Sequence, residues 1–363
     1  MGYRIWVLDP DPDCPAASVS DRVIVGSYDD LDAALRLADG ADVVTYELEH
    51  VAAGVVEAVS ARRPVRPGHH PLTVTQDRLA ERRFVEAAGV AVAPWRLVRT
   101  GDEALAAAAE LAMPLRLKVP IGGYDGRSQI RIASPADLDD AWGRLGRPPG
   151  AALLAESEIS FEAELSIVVA RGGDGRIVPF PVAGTVHDAG ILVESTAPAV
   201  VSQDVAARAT AIGVRLAEAM DLWGTLTAEL FLLPDGSLAV NELAPRVHNS
   251  GHWTIEGAAT SQFEQHIRAI CGLGLGSPEA LSPAATVNVL GSGIRRKARL
   301  LGTGAALADP AVHLHLYDKR EVFERLKMGH LTALGDTVEA ALGRARAAAG
   351  KLRWADDANA EGK

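Results

Sequence analysis

Two apolar runs separated by a short polar turn form the clearest pattern in this chain. Leu226–Leu233 and Leu238–Leu243 flank the tripeptide Pro234-Asp235-Gly236. This pattern predicts a β-hairpin, because Pro and Asp favour the turn and Gly tolerates a positive φ. We expect Asp235-Gly236 to form a two-residue turn, which places Pro234 opposite the residue that follows the glycine.

This hairpin brings two acidic side chains together. In the predicted register Glu229 faces Glu242, and like charges directly opposite each other on a sheet are destabilising. A cation between the carboxylates removes the repulsion, and carboxylate oxygens are suitable ligands for Mg²⁺. The alternative is two solvated glutamates on an exposed face, and a longer turn shifts the register by one or two residues. We favour the magnesium site, because both glutamates interrupt apolar runs and a polar loop follows at once.

The loop that follows the second predicted strand is rich in side chains that bind anions. It reads APRVHNSGH and contains Arg246, His248, Asn249, Ser250 and His252. A single histidine is more often a hydrogen-bonded structural residue than a ligand. The clustering of two histidines with an arginine and two small polar residues favours an anion-binding pocket beside the predicted metal site.

The first part of the chain alternates short apolar runs with segments of helical spacing. The predicted strands are Tyr3–Leu8, Arg22–Val25 and Asp42–Tyr46, and the predicted helices are Leu31–Leu37 and Val55–Ala61. This order predicts a βαβ pattern with a parallel sheet. Such a domain normally opens with a strand, a Gly-rich loop and a helix. The chain starts at what resembles the second strand, so we expect either a short domain or a missing upstream piece.

A lysine and a glycine-rich loop lie further along the chain. Lys118 ends the predicted strand Leu115–Lys118, and Gly122–Arg127 precedes the next predicted strand, Ser128–Ile132. A strand, a glycine loop and a second strand can fold over phosphates, because backbone N–H groups donate to them and a lysine adds a point charge. A plain flexible hairpin loop is the alternative. The lysine at the edge of the loop and the carboxylate hairpin downstream favour phosphate binding.

Glutamates also stand at the ends of two neighbouring predicted strands. Glu156 ends the strand Ala151–Glu156, and Glu164 begins the strand Glu164–Arg171. Carboxylates at these places can accept hydrogen bonds from an adenine amino group or from ribose hydroxyls. Taken alone, the two residues are no more specific than glutamates on any protein surface.

A basic and aromatic cluster lies near the C-terminus. The HLHLY alternation predicts a strand with its histidines on one face. We favour a basic wall that faces an anionic substrate over a metal site built from the histidines. The cluster consists of His313, His315, Tyr317, Lys319, Lys327 and His330.

Composition narrows the function classes. The chain has 363 residues and a formal net charge of −11, which argues against nucleic acid as a main partner. No apolar run approaches the roughly 18 residues of a membrane span. The two cysteines, Cys14 and Cys271, give neither a disulfide framework nor metal-site spacing, and we expect a cytoplasmic protein. An anionic substrate therefore has to be bound by a local basic cluster.

Several motifs together resemble one enzyme family. The most specific is NELAPRVHNSGHWT, and the others include VLDPDPDCPA, DVVTYELEHV, QDRLAERR, GGYDGR, AESEISFEAELS and KMGH. With these motifs the chain resembles the ATP-grasp enzymes, and among them the N5-carboxyaminoimidazole ribonucleotide synthases of purine biosynthesis. The resemblance implies an α/β ATP-grasp fold. Its implied parts are a truncated Rossmann-like (pre-ATP-grasp) domain at 1–74 without the first strand and Gly-rich loop, an ATP-grasp domain at 75–275 with a lid at about 97–158, a small β-rich C-terminal domain at 276–355, and a tail at 356–363.

The resemblance also implies roles for individual residues. The implied Mg²⁺ ligands are Glu229 and Glu242, and the implied catalytic residues near bicarbonate and carboxyphosphate are Arg246 and His248. The implied ATP contacts are Arg78, Lys118, Gly123, Tyr124, Asp125, Gly126, Glu156 and Glu164. The positions implied for aminoimidazole ribonucleotide are Tyr124, Asp125, Arg127, Asn249, Ser250, Lys319 and Lys327.

Enzymes of this family use ATP to phosphorylate bicarbonate, and the amine of aminoimidazole ribonucleotide captures the CO₂ that carboxyphosphate releases. We therefore expect an ATP-dependent carbon–nitrogen ligase that uses Mg²⁺ and forms a homodimer. Two residues depart from the family pattern on the substrate side: Ser128 replaces a glycine after GYDGR, and Leu326 replaces an arginine before KMGH. Two alternatives stay open, namely a carboxylate–amine ligase with a different acceptor and a nucleotide-binding homologue with impaired catalysis.

Overall fold

The computed structural model describes residues 1–122, 128–138 and 140–356, and it begins with a small parallel sheet. β1 and β2 pair in parallel, as the βαβ pattern predicts. Helix α1 begins after Asp30, whose side chain accepts a hydrogen bond from the backbone N–H of Ala33. The elements of this part are β1 (Trp6–Asp9), β2 (Arg22–Val25), α1 (Leu31–Asp39), α2 (Ala53–Ser60), α3 (His69–Gln76) and α4 (Arg78–Ala87).

The prediction of a third strand in this part is wrong. Segment 42–46 contributes one isolated parallel bridge, between Val44 and Val65. The backbone N–H of Val44 donates to Pro64 at 2.9 Å, and the N–H of Arg66 donates to Val44 at 2.9 Å. Proline has no N–H of its own, so it cannot extend this pairing into a longer ladder.

The single helix predicted over Thr75–Ala88 is divided into α3 and α4 at Asp77. The backbone of Asp77 is extended, and its side chain accepts from the N–H of Leu79, so this residue caps α4. Asp77 also forms an isolated antiparallel bridge with Ile121. Arg78 therefore begins a helix beside the residues that lead into the glycine-rich loop.

A four-stranded antiparallel sheet follows, with the strand order β3-β6-β4-β5. Leu115 and Leu117 are fully buried against the helical side of this sheet. Because side chains alternate between the two faces of a strand, Lys118 lies on the opposite face. The elements are β3 (Trp95–Val98), α5 (Gly101–Leu111), β4 (Leu115–Lys118), β5 (Gln129–Ile132), α6 (Ala141–Arg144) and β6 (Leu153–Ser157).

The largest sheet of the described residues has nine strands, and it carries the predicted hairpin at one edge. The long helix α7 packs on it over a core that includes Leu216, Leu226 and Val240. The elements from residue 163 to residue 290 are β7 (Ala163–Arg171), β8 (Ile177–Pro179), β9 (Ala183–Asp188), β10 (Ile191–Ala197), α7 (Gln203–Ala219), β11 (Gly224–Leu232), β12 (Leu238–Ala244), α8 (Thr254–Gly257), α9 (Gln262–Ile270) and β13 (Ala284–Leu290).

The C-terminal region continues the same sheet. The order along it is β12-β11-β7-β9-β10-β13-β18-β16, with β8 paired to β7 outside this path. The closing helix α11 packs against β13 and β18. The remaining elements are β14 (Arg296–Lys297), β15 (Leu300–Leu301), α10 (Thr303–Ala306), β16 (Val312–Leu316), β17 (Glu321–Val322), β18 (Lys327–Leu334), α11 (Val338–Ala349) and β19 (Arg353–Trp354).

The hairpin β11–β12 has the predicted glutamate pairing but a different turn. Leu233 donates to Ser237 at 2.9 Å, so the loop has three residues and Gly236 takes a φ of +80°. The prediction of a two-residue turn is therefore wrong. A bulge between the Leu230–Val240 pair and the Glu229–Glu242 pair shifts the register back by one residue. The two deviations cancel, and the glutamates are cross-strand partners.

His266 joins the N-terminal part of the chain to the large sheet. Its burial leads us to expect that the free energy of unfolding depends on pH. Its ring lies between the hydroxyls of Thr45 at 2.9 Å and Thr225 at 3.0 Å. Burial lowers the pKa of His266 to about 4, whereas the ordinary value is 6.5. Between these values the unfolded chain binds more protons than the folded one, so the free energy of unfolding decreases as the pH falls from 6.5 to about 4.

His266→Gln is expected to reduce the slope of the unfolding free energy against pH. The reduction is at most that of one bound proton, about 1.4 kcal/mol per pH unit. Urea unfolding at pH 7, 6 and 5 measures the slope. His70→Gln, at an exposed position, serves as the control and is expected to keep it. An unchanged slope in the His266 variant contradicts the assignment.

None of the helices in the described ranges combines the length and apolarity that crossing a membrane requires.

Candidate active site

The two hairpin glutamates lie in different environments. The Glu229 side chain is 17% exposed and accepts from the amide of Asn241 at 3.4 Å, whereas the Glu242 side chain is 53% exposed. Burial raises the pKa of Glu229 to about 7, and the charge of Glu242 adds to the effect. Arg78 approaches Glu242 to 3.9 Å. Two carboxylates that face each other, one of them little exposed, favour a cation at the hairpin.

The donor set fits Mg²⁺ in combination with phosphate oxygens. Within the described residues, no group of three or more His, Cys, Asp and Glu side chains is arranged to hold a metal. Magnesium commonly takes one or two protein carboxylates and completes its octahedron with substrate phosphates and water. Glu229 and Glu242 can supply those two carboxylates.

Lys118 lies at the end of β4, on the face of the four-stranded sheet that carries the charged residues. It is 7% exposed, and its ammonium contacts Oε1 of Glu156 on β6. Burial lowers the pKa of Lys118 despite this contact with a carboxylate. The predicted phosphate lysine and the predicted adenine-side glutamate therefore form one buried ion pair.

Two residues that the sequence did not suggest complete this buried group. Glu81 and Arg82 of α4 are 2% and 1% exposed, and Arg82 donates to Glu156 at 2.8 Å. In the sequence they belong to the run RLAERR, which is typical of an exposed helix. Their burial comes from strands that pack on both sides of α4, and sequence periodicity carries no signal of it.

Glu164, predicted to contact ribose, lies beside the two hairpin glutamates. Its Oε2 is 3.0 Å from Nδ1 of His187 on β9, and Nε2 of His187 is 3.8 Å from Glu229. Burial opposes protonation of His187, but the hydrogen bond to Glu164 and the charge of Glu229 raise the pKa of this imidazole. Sequence reasoning assigned no role to His187, which begins the run HDAGIL.

The predicted anion loop packs against the same glutamate. Nε2 of His248 is 3.5 Å from Glu229, and its Nδ1 is 2.8 Å from the Ser250 hydroxyl. The Ser250 hydroxyl is in turn 2.6 Å from that of Ser166 on β7. Burial and the charge of Arg246 hold the pKa of His248 well below its usual value, so the imidazole is neutral at pH 7.

Arg246 is held from the N-terminal part of the chain. Its Nε donates to Glu49 at 2.8 Å, and the amide of Gln76 donates to the backbone carbonyl of Glu49 at 2.6 Å. Sequence reasoning missed Glu49, which lies in the DVVTYELEHV motif. Asn249 follows His248 in a short 3₁₀-helix, Asn249–Gly251, over the sheet.

The C-terminal cluster is less basic than predicted. Burial lowers the pKa of His330 to about 3, and the neighbouring Tyr317 hydroxyl is 2.9 Å from its Nδ1. His315 stacks on His330 at 4.6 Å and pairs with the Glu256 carboxylate at 2.6 Å. Positive charge therefore comes chiefly from the lysines, of which Lys319 donates to the backbone carbonyl of residue 327 at 2.8 Å.

Contacts connect most of the predicted residues that the structure describes. Lys118 meets Glu156 in the four-stranded sheet, and Arg78 and His248 lie 3.9 Å and 3.5 Å from the hairpin residues Glu242 and Glu229. The predicted loop residues Gly123, Tyr124, Asp125, Gly126 and Arg127 lie outside the described residues. An arrangement of two carboxylates, buried cations and a neutral imidazole is suited to phosphoryl transfer onto an anionic acceptor.

Profiles of three domain families match this chain in order. Residues 1–76 match the ribonucleotide synthetase preATP-grasp domain, residues 83–263 the ATP-grasp domain, and residues 284–344 the phosphoribosylaminoimidazole carboxylase C-terminal domain. Fold and site together therefore define an ATP-grasp protein, and the predicted fold class is confirmed.

Relatives of known name are similar over nearly the whole chain. The N5-carboxyaminoimidazole ribonucleotide synthase of Bacillus subtilis is 40% identical over 332 residues, covering 92% of this chain and 85% of the relative. The enzyme of the same name from Mycobacterium tuberculosis is 40% identical over 367 residues, covering 98% of this chain and 84% of the relative. The chain belongs to the N5-carboxyaminoimidazole ribonucleotide synthase family.

Solved structures give the same picture. An ADP complex of an N5-carboxyaminoimidazole ribonucleotide synthetase has a TM-score of 0.87 and 40% identity, covering 96% of this chain and 90% of that one. The Aspergillus clavatus synthase in complex with ADP and 5-aminoimidazole ribonucleotide has a TM-score of 0.84 and 31% identity, covering 93% and 89%.

Proposed function

We propose that this chain carboxylates 5-aminoimidazole ribonucleotide in a reaction that consumes ATP and bicarbonate, as a ligase of purine biosynthesis. Family membership supports this function. The single structural observation that carries it is the position of Glu229, which faces Glu242 across the hairpin and lies 3.5 Å from His248. We propose that this carboxylate binds Mg²⁺ at the place where the γ-phosphate meets bicarbonate.

The nucleotide side consists of residues that bind and orient ATP. Lys118 and Arg78 supply positive charge to the phosphates, and Glu156 and Glu164 accept from adenine and ribose. The loop residues Gly123, Tyr124, Asp125 and Gly126 are proposed to close over the phosphates. Mg²⁺, when held by Glu229 and Glu242, offsets the charge that develops on the transferred phosphoryl group.

The acceptor side consists of Arg246 and His248. A bicarbonate oxygen bonds to the γ-phosphorus while the bond to the ADP oxygen breaks, which gives carboxyphosphate. The guanidinium of Arg246, fixed by Glu49, can hold both bicarbonate and this intermediate through paired N–H donors. His248 is neutral at pH 7, so it adds a hydrogen-bonding group without attracting a second anion.

The last step joins CO₂ to the substrate amine. Breakage of the C–O bond of carboxyphosphate releases CO₂ and inorganic phosphate. The amine nitrogen then bonds to the carbon of CO₂ and loses one proton, which the inorganic phosphate can accept. A closed site protects both species from water. The residues proposed to hold aminoimidazole ribonucleotide are Tyr124, Asp125, Arg127, Asn249, Ser250, Lys319 and Lys327.

The proposal is tested by ADP release in the presence of Mg²⁺ and bicarbonate. We expect release to require bicarbonate and to increase when 5-aminoimidazole ribonucleotide is added. Stimulation by a different amine instead indicates another acceptor. Other amines belong in the assay because Leu326 and Ser128 depart from the family pattern on the substrate side. Nucleotide binding without turnover under all conditions indicates a homologue that has lost catalysis.

We also propose a homodimer in the cytoplasm. The dimer rests on the family resemblance, and a light-scattering mass of twice the 38.1 kDa chain tests it. The compartment rests on cysteine usage: Cys14 and Cys271 are both free thiols, as in proteins kept under reducing conditions.

A further inference from the structure

A chain of four buried charges connects the two sheets that enclose the site. Leu243, next to Glu242 on β12, donates its backbone N–H to Glu81 at 2.8 Å. Glu81 pairs with Arg82 at 2.7 Å, Arg82 pairs with Glu156 at 2.8 Å, and Glu156 contacts Lys118. The signs alternate along the whole path. The chain therefore begins at the metal hairpin and ends at the phosphate lysine.

All four carboxylate oxygens of Glu81 and Glu156 contact a buried donor group. Glu81 uses Oε1 for Arg82 and Oε2 for the backbone of Leu243. Glu156 uses Oε2 for Arg82 and Oε1 for Lys118. The four side chains are between 1% and 7% exposed. In such surroundings a change at one end alters the hydrogen bonds available at the next, because water cannot replace a lost partner.

At the hairpin, the contact between Glu81 and the backbone of Leu243, where the row of buried charges begins, depends on the bulge in β12. Strand β12 is the edge strand of the large sheet, so alternate N–H groups point away from β11. Val240 donates outward to Ala91 at 2.8 Å, and after the bulge Leu243 is the residue that points outward, to Glu81. Glu81 thus fixes the backbone directly beside Glu242.

At the nucleotide side, the row of buried charges is positioned by α4. Arg78, the first residue of this helix, donates its backbone N–H to the carbonyl of Pro120 at 3.0 Å, and its guanidinium lies 3.9 Å from the Glu242 carboxylate. Helix α4 therefore touches both the hairpin and the segment that directly follows Lys118. Adjacent residues of a helix project about 100° apart, so Glu81 and Arg82 reach in two different directions.

Stability alone does not explain four charges at this place. Buried ion pairs are often no more stable than apolar side chains of similar volume, because desolvation offsets their attraction. We propose that Glu81 and Arg82 are positioning residues that couple nucleotide binding at Lys118 to Mg²⁺ binding at Glu242. The inference rests on the proposed function. When phosphate groups attract Lys118, the interaction of Glu156 with this lysine weakens and its interaction with Arg82 strengthens. The pairing of Arg82 with Glu81 then changes, and with it the hydrogen bond between Glu81 and the hairpin.

The coupling is measured by calorimetry with ADP, once in EDTA and once in saturating Mg²⁺. The ratio of the two dissociation constants is the coupling factor, and such factors typically lie between about 5 and 150. Glu81→Gln is expected to reduce the ratio about tenfold, while ADP affinity in EDTA changes by less than about threefold. A residue that only stabilises the fold changes both affinities together.

A second variant guards against misfolding. E81Q/R82M removes both inner charges, so no buried charge is left without a partner: Glu156 loses Arg82 but keeps Lys118. It is expected to unfold near the temperature of the unaltered protein and to show the same reduced ratio. The matched control is Glu158→Gln, directly after β6, whose partners Arg116 and Arg131 lie at 2.6 Å in the four-stranded sheet; its ratio is expected to stay unchanged.

One result overturns the inference: an unchanged ratio in folded E81Q/R82M, which includes the case in which ADP affinity falls equally with and without Mg²⁺. Failure of the unaltered protein to bind ADP at all contradicts the nucleotide role instead, so the proposed function and the coupling can be judged separately.

Discussion

Glu242→Gln and Glu229→Gln are each expected to lower the Mg²⁺-dependent rate of ADP release by at least about 10²–10³-fold, the typical loss when one transition-state electrostatic contact is removed. Glutamine keeps the size of the side chain but removes the charge that binds the cation. The two residues are cross-strand partners, so loss of either one leaves a single carboxylate for Mg²⁺. Steady-state ADP release at saturating substrates, titrated with Mg²⁺, measures the effect.

The hairpin itself offers the matched control. Asp235 lies in the turn of the same hairpin, where its carboxylate accepts from the backbone and hydroxyl of Ser237. Asp235→Asn removes a charge from the same element, far along the strands from the glutamate pair, and is expected to keep the normal rate. Wild-type rates in either glutamate variant exclude the pair as the metal site.

Lys118→Met is expected to weaken ATP binding about 10- to 100-fold, because a hydrogen bond to a charged group contributes about 1.5–3 kcal/mol. The fold is expected to persist, since Glu156 keeps its second cation, Arg82, at 2.8 Å. Calorimetry with a non-hydrolysable ATP analogue gives the affinity, and circular dichroism gives the melting temperature.

The control for this variant is Arg116→Met. Arg116 lies two residues earlier on the same face of β4 and pairs with Glu158 at 2.6 Å. It has the same charge on the same strand but is not in the buried chain. An ATP affinity that is unchanged in the Lys118 variant, or equally reduced in both variants, argues against a specific phosphate role for Lys118.

The hairpin illustrates how far the sequence pattern reaches. Its two apolar runs correctly predicted strands β11 and β12 and the pairing of Glu229 with Glu242. The turn was predicted one residue too short, and the bulge that compensates for it was not predicted. A bulge depends on where edge N–H groups find acceptors, here Ala91 and Glu81, and both acceptors are remote in sequence.

The site shows the same division between local pattern and remote contact. Lys118 and Arg246 were singled out because they lie in or beside motifs. Arg82 and Glu81 were not, because a helix with the sequence RLAERR has the composition of a solvated surface. Only the packing of the four-stranded sheet and of β12 around α4 removes these charges from water.

The sequence by itself determined the class of protein, the hairpin with its facing carboxylates and the loop that carries Arg246 and His248. The class of protein follows from the resemblance of its motifs to a known family. The hairpin and the loop follow from spacing within segments, which periodicity and turn chemistry encode directly. The tertiary structure alone decided that Glu81 meets Leu243 across 162 residues and that Glu49 holds Arg246 across 197. Such contacts arise from how whole layers pack, and no local pattern specifies which remote charge becomes the buried partner.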